Sequence, residues 1–111
     1  MLKQPAPPSR RFTSRVKTPD GVWVDWRCAG YEDISRVLNM SLGGLYVETP
    51  TPKDLGSSVN LEFLVQEGQI RAAAVIRRIE PGHGLALRFT AVIDEDRSRL
   101  AALMNRLRQS S

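Results

Sequence analysis

Apolar and polar residues alternate with a period of two through most of the middle of the chain. Val22, Val24, Trp26 and Cys28 are separated by Trp23, Asp25 and Arg27, and Pro19-Asp20-Gly21 supplies a turn before them. Successive side chains of an extended backbone point to opposite faces, so this pattern predicts a strand with one face in a core. Val59, Leu61, Phe63 and Val65 repeat it. Gln66-Glu67-Gly68-Gln69 then reads as a hairpin loop, and Ile70, Ala72, Ala74 and Ile76 carry the alternation back, with Arg71, Arg77 and Arg78 toward water or a rim. Leu45 and Val47, bounded by Gly43-Gly44 and by Pro50 and Pro52, form another short strand. After the tight connection Pro81-Gly82-His83-Gly84, Leu85, Leu87 and Phe89 face one way and Ala86 and Arg88 the other. The period then changes. Asp94, Glu95 and Asp96 concentrate acid where a helix begins, and Leu100, Leu103, Met104 and Leu107 recur at helical spacing, which predicts an amphipathic helix over about residues 94–108. Roughly five to seven short antiparallel strands and one helix make a mostly β domain, a small barrel or twisted sheet whose open end or face the helix covers.

Composition narrows the chemistry. The 111 residues amount to one domain, 41% hydrophobic and 25% charged, in the range of folded rather than disordered chains. One cysteine, Cys28, excludes an internal disulfide, and together with the single His83 it leaves too few soft ligands for a zinc site, so no metal is expected. No apolar run is long enough to span a bilayer and the first residues lack a signal-peptide pattern; the expectation is a cytoplasmic chain without membrane insertion. The net charge of +4 is unevenly placed: residues 1–19 carry +5 and residues 20–111 carry −1. The sequence therefore divides into a Pro-rich basic tail, residues 1–9, expected to be extended and solvated, and a single domain over residues 10–109.

No catalytic pattern emerges. His83 lies between two glycines with no nucleophile set beside it, Cys28 falls on the apolar face of its strand, and Gly43-Gly44 lacks the Lys-Ser/Thr of a phosphate-binding loop. Two other stretches are unlike ordinary folding signals. One is Arg11-Phe12-Thr13-Ser14-Arg15, preceded by Arg10; the other is Asn39-Met40-Ser41-Leu42-Gly43-Gly44. In an extended backbone Asn39 and Ser41 project from the same face and present an amide and a hydroxyl to one ligand, while Gly44 lets the chain turn or a ligand approach closely.

Together these stretches resemble the PilZ domain family, whose pattern is RxxxR followed by [D/N]xSxxG. Arg11 and Arg15 correspond to the first motif, and Asn39, Ser41 and Gly44 to the second; Gly84-Leu85-Ala86-Leu87-Arg88-Phe89 and the closing helix extend the likeness over about Arg10 to Gln109. The resemblance implies a six-stranded antiparallel β-barrel with a C-terminal helix. It also implies a non-enzymatic receptor that needs no cofactor, takes cyclic di-GMP as its ligand, and relays the level of that bacterial second messenger to a partner protein governing motility, biofilm or virulence. The implied binding residues are Arg10, Arg11, Arg15, Asn39, Ser41, Gly43 and Gly44. Their chemistry agrees: a guanidinium pairs with phosphate and stacks on a base, and guanine offers acceptors and donors that an amide and a hydroxyl complement. The basic tail would close over the bound dinucleotide. The competing readings are a degenerate PilZ-like module that binds proteins and no nucleotide, and a barrel that binds RNA or single-stranded DNA. The near-neutral body and the 6% aromatic content argue against a nucleic-acid polymer as partner.

Overall fold

The structure, a computed structural model, describes residues 16–18, 21–50 and 53–110. These form strands β1 (Val16–Lys17), β2 (Trp23–Cys28), β3 (Tyr31–Ser41), β4 (Gly44–Glu48), β5 (Ser58–Leu64), β6 (Ile70–Glu80) and β7 (Gly84–Val92), then a 3-10 turn (Asp94–Asp96) and helix α1 (Arg97–Ser110). All pairings are antiparallel. The hydrogen-bonded order runs β3, β2, β5, β6, β7, β4 and returns from β4 to β3, so six strands close into a barrel. The short β1 lies alongside the end of β3, with Val16 opposite Met40 and Lys17 opposite Asn39.

The expected alternation fills the barrel. Val22, Val24, Trp26, Cys28, Val59, Leu61, Phe63, Ile70, Ala74 and Ile76 are all buried inward. The longest strand the pattern did not reveal is β3, because charged and polar residues occupy both of its faces. One of them is functional in packing: Ser35 faces inward and accepts a hydrogen bond at 2.8 Å from the indole of the fully buried Trp26. That contact satisfies a polar group that burial would otherwise strand. Ala86, expected to face away from the core, is buried as well.

The helix begins later than its acidic run predicts, as a 3-10 turn over Asp94–Asp96 before α1 proper. Leu100, Leu103, Met104 and Leu107 join the barrel residues in one hydrophobic core. Polar contacts fix the seam. Asp96 is completely buried and accepts the backbone N–H of Arg71 at 2.9 Å, the Arg71 guanidinium at 2.9 Å, and the guanidinium of Arg99. Arg71 is therefore half-buried in a structural pair rather than turned to water. Those donors pull the Asp96 carboxyl down to about 2. Arg106 grips Glu67 of the β5–β6 loop through two bonds of 2.6 and 3.0 Å and holds that carboxyl below its usual range, while Arg99 Nε donates to the Gln69 carbonyl at 2.7 Å.

Candidate functional site

The end of β3 departs from simple alternation. Val37 and Met40 are both fully buried although three positions apart, because the register with β4 slips between Val37 and Asn39. A bulge of this kind turns two consecutive residues outward and inverts the phase of the strand beyond it. Asn39 and Ser41 accordingly share the outer face of the barrel. Without the slip they would follow Ser35 and Val37 inward.

β4 and β7 continue that face. Ser41 lies opposite Gly44 and Gly44 opposite Arg88; Asn39 lies opposite Tyr46, Tyr46 opposite Ala86, and Ala86 opposite Arg78. The Ser41 hydroxyl oxygen accepts the Gly43 N–H at 3.0 Å, closing the turn around exposed Leu42, and the Gly43 carbonyl accepts the Phe89 N–H at 2.9 Å. Gly44 owes its identity to β7. A β carbon there would stand 2.1 Å from the Leu87 carbonyl oxygen and 3.1 Å from Arg88 Cα, so only glycine allows the two strands to pair. The space a side chain at Gly44 would take is filled by the backbone of β7.

β6 carries a second slip, between Ile76 and Arg78. Ile76 is buried and Ile79 packs against the core, so Arg77 and Arg78 both emerge on the outer face. The result is a groove of about 510 Å³ whose walls include Ser41, Gly43, Arg77, Arg78 and Arg88, with Ala86 at its base. Arg78 is 3.4 Å from Glu80. Glu80 also accepts the Tyr46 hydroxyl at 2.7 Å, and Tyr46, partly desolvated and bonded to this carboxylate, is pushed up to about 12. Arg77 and Arg88 are exposed, and among the described residues neither is in an ion pair. The groove thus sets the Ser41 hydroxyl and exposed guanidinium groups beside Ala86, Leu87 and Phe89, a surface suited to a planar, anionic ligand.

The structure brings Asn39, Ser41, Gly43 and Gly44 together. Arg10, Arg11 and Arg15 lie outside the described residues, although Val16, which directly follows Arg15, is in register with Met40 between Asn39 and Ser41. Sequence reasoning missed Arg77 and Arg88 as groove residues. The signal for the first was present as a broken alternation, Ile76 and Ile79 three apart around two arginines. Elsewhere, His83 sits in the β6–β7 turn, its N–H donating to the Glu80 carbonyl and its carbonyl accepting from Thr49. Cys28 is a buried free thiol. Among the described residues no cluster of metal-ligating side chains occurs and no helix is long and apolar enough to cross a membrane.

The family model of the PilZ domain matches residues 9–106. Among solved structures, the MrkH–c-di-GMP complex of K. pneumonia superposes with a TM-score of 0.71 at 18% identity, over 88% of this chain and 51% of MrkH. MrkH in its apo state gives a TM-score of 0.71 at 17% identity, over 98% of this chain and 54% of MrkH. The chain spans about half the length of MrkH, and at this identity the likeness is one of fold. No curated protein matches the chain.

Proposed function

Because the chain belongs to the PilZ domain family, we propose that it is a receptor, not an enzyme, for cyclic di-GMP, and that the dinucleotide lies in the groove beside Asn39, Ser41, Gly43 and Gly44. The observation that carries this reading is the β3 bulge, which turns the amide of Asn39 and the hydroxyl of Ser41 onto one outer face, next to a groove lined with arginine. Arg11 and Arg15, with Arg10 beside them, supply the guanidinium partners for phosphate and base stacking that the family pattern assigns to its first motif. Each charge-assisted bond contributes roughly 1.5–3 kcal/mol, so loss of one arginine weakens binding on the order of tenfold to a hundredfold.

The receptor reports ligand to a downstream protein. Trp23 and Leu64, opposite each other on β2 and β5, and nearby Ile34 on β3 stand exposed on the wall away from the groove and offer an apolar surface for that contact. Isothermal titration with cyclic di-GMP, with GTP and cyclic di-AMP as controls, tests the reading. Saturable binding selective for the guanine dinucleotide and lost in Arg15→Ala is expected. Absence of binding at ligand concentrations of about 100 μM, far above a ~1 μM dissociation constant, would contradict it and favour the module that binds proteins alone.

A further inference from the structure

We propose that the outer wall built by β2, β5, β6 and the end of β7, away from the dinucleotide groove, docks a segment of a partner protein that carries an arginine or lysine flanked by aliphatic side chains. The inference rests on the reading that the chain reports to a downstream protein, and it names the chemistry of that contact. Shape is the first argument. Asn60, Ala73 and Ala91 stand side by side across β5, β6 and β7, and this row of short side chains lies in a trough of about 320 Å³. Asp25, Glu62 and Arg71 flank it on one side and Ile93 closes one end. The wall continues past Asp25 and Glu62 to Trp23, Leu64 and Ile34; these three and Ile93 are between 42% and 52% exposed. Large apolar side chains grouped around a trough mark a protein contact rather than ordinary solvated surface.

Charge selects the occupant. Asp25 lies directly opposite Glu62 in the β2–β5 register, where like charges repel. The basic side chains beside them are engaged, Arg27 standing 3.4 Å from Glu32 and Arg71 held by Asp96. Among the described residues neither Asp25 nor Glu62 is in an ion pair. Glu62 accepts an amide N–H from Gln69 at 3.2 Å, but Oδ1 of Asp25 is buried with no hydrogen-bond partner. Burial first, and then Glu32 and Glu62, raise the Asp25 carboxyl above its ordinary value. A cation from outside supplies the missing donor and cancels the repulsion. An acidic or wholly apolar segment would cover the same oxygen and leave it unpaired. A basic side chain over the Asp25–Glu62 pair, with one aliphatic neighbour in the trough and another against Trp23 and Leu64, meets both demands, and the apolar rim keeps water from the ion pair.

Random peptides displayed on phage are selected on the immobilised wild-type chain, and an enriched sequence is synthesised both with its basic residue and with neutral citrulline or norleucine in that place. Enrichment of arginine or lysine beside leucine, isoleucine or valine is expected. The basic peptide should bind about tenfold to a hundredfold more tightly than its neutral form, and the preference should vanish in the double variant Asp25→Asn, Glu62→Gln. Ala91→Leu, at an exposed position, should fill the trough and weaken both forms on the order of tenfold, with circular dichroism verifying that each variant is folded. No enrichment, enrichment without a basic residue, or a preference for the basic form that survives in the folded double variant would overturn the assignment. So would self-association of the wild type, seen by sedimentation equilibrium and abolished by Ala91→Leu, which would give the wall to a second copy of the chain. Titration of the same samples with cyclic di-GMP separates the two readings: the double variant should bind it as the wild type does. A wild-type chain that takes the basic peptide and not the dinucleotide would remove the receptor reading and leave the docking surface standing.

Discussion

Arginine serves two different purposes in this domain, and the seam between helix and barrel differs from the β6–β7 groove in what surrounds it. At the seam Arg71, Arg99 and Arg106 are each committed: to Asp96, to Asp96 and the Gln69 carbonyl, and to Glu67. At the groove Arg77 and Arg88 face outward with no carboxylate in contact among the described residues. Paired and partly buried guanidinium groups fasten elements together, whereas an uncommitted pair on a concave wall holds donors in reserve for an acceptor from outside. The net charge of residues 20–111, −1, conceals this division because acids and bases nearly cancel in number but not in place.

The contrast can be broken most forcefully where the groove itself is structural. Gly44→Val drives side-chain carbons into the Leu87 carbonyl, 2.1 Å from the nearest β-carbon position, and should destabilise the domain by about 1–3 kcal/mol or more while abolishing ligand binding; chemical denaturation and titration of the same sample measure both. The seam comes next. Asp96→Asn keeps the shape but removes the charge that three donor groups share, and should lower Tm on the order of 5–10 °C with cyclic di-GMP affinity unchanged for the folded protein.

Acid should act on the seam in the same direction and more gradually. The carboxyl of Asp96 is pulled from 3.8 in the unfolded chain to about 2 in the fold, so its contribution is fully present above about pH 4 and is lost as the pH falls toward 2. Glu67, lowered by Arg106, contributes with the same sign. Urea midpoints measured across this range should decline for the wild type and decline less for Asp96→Asn. The smallest effect on stability belongs to the groove: Arg77→Gln and Arg88→Gln should each change the unfolding free energy by no more than about 0.5 kcal/mol, because they sever no pair. A large loss of stability in either would erase the distinction between the two sets of arginines.

Reading the chain before its fold recovered what is periodic and missed what breaks the period. Val22 to Cys28 and Val59 to Phe63 needed only their alternation to be placed, and the helical stripe from Leu100 to Leu107 needed only its spacing. The barrel's longest unread stretch, Tyr31 to Leu38, has Glu32, Asp33, Ser35 and Arg36 on its two faces, and Ser35 is inside only because Trp26 requires a partner there. Asn39 and Ser41 were legible as neighbours on one face; that the face is the outer one depends on a bulge whose trace in sequence, Val37 and Met40 three apart, is easily lost. Gly44 was legible as a special position, but one reason for it was not: a β carbon there would strike the Leu87 carbonyl of β7, forty-odd residues later in the chain. Arg88 joins Ser41 only through the β4–β7 register, which no local pattern reveals. Arg10, Arg11 and Arg15 rest on their motif alone.

The proposed receptor binds a guanine dinucleotide on the outer face bounded by the end of β3, β4, β6 and β7. The most direct test is to follow backbone amide chemical shifts while cyclic di-GMP is added to the isotope-labelled chain. Saturating changes concentrated at Asn39 to Gly44, Arg77 and Arg88, with Asp96, Arg99 and Arg106 unmoved, are the predicted result. No saturable change, or changes centred on the helix seam or on the wall of Trp23 and Leu64, would contradict it.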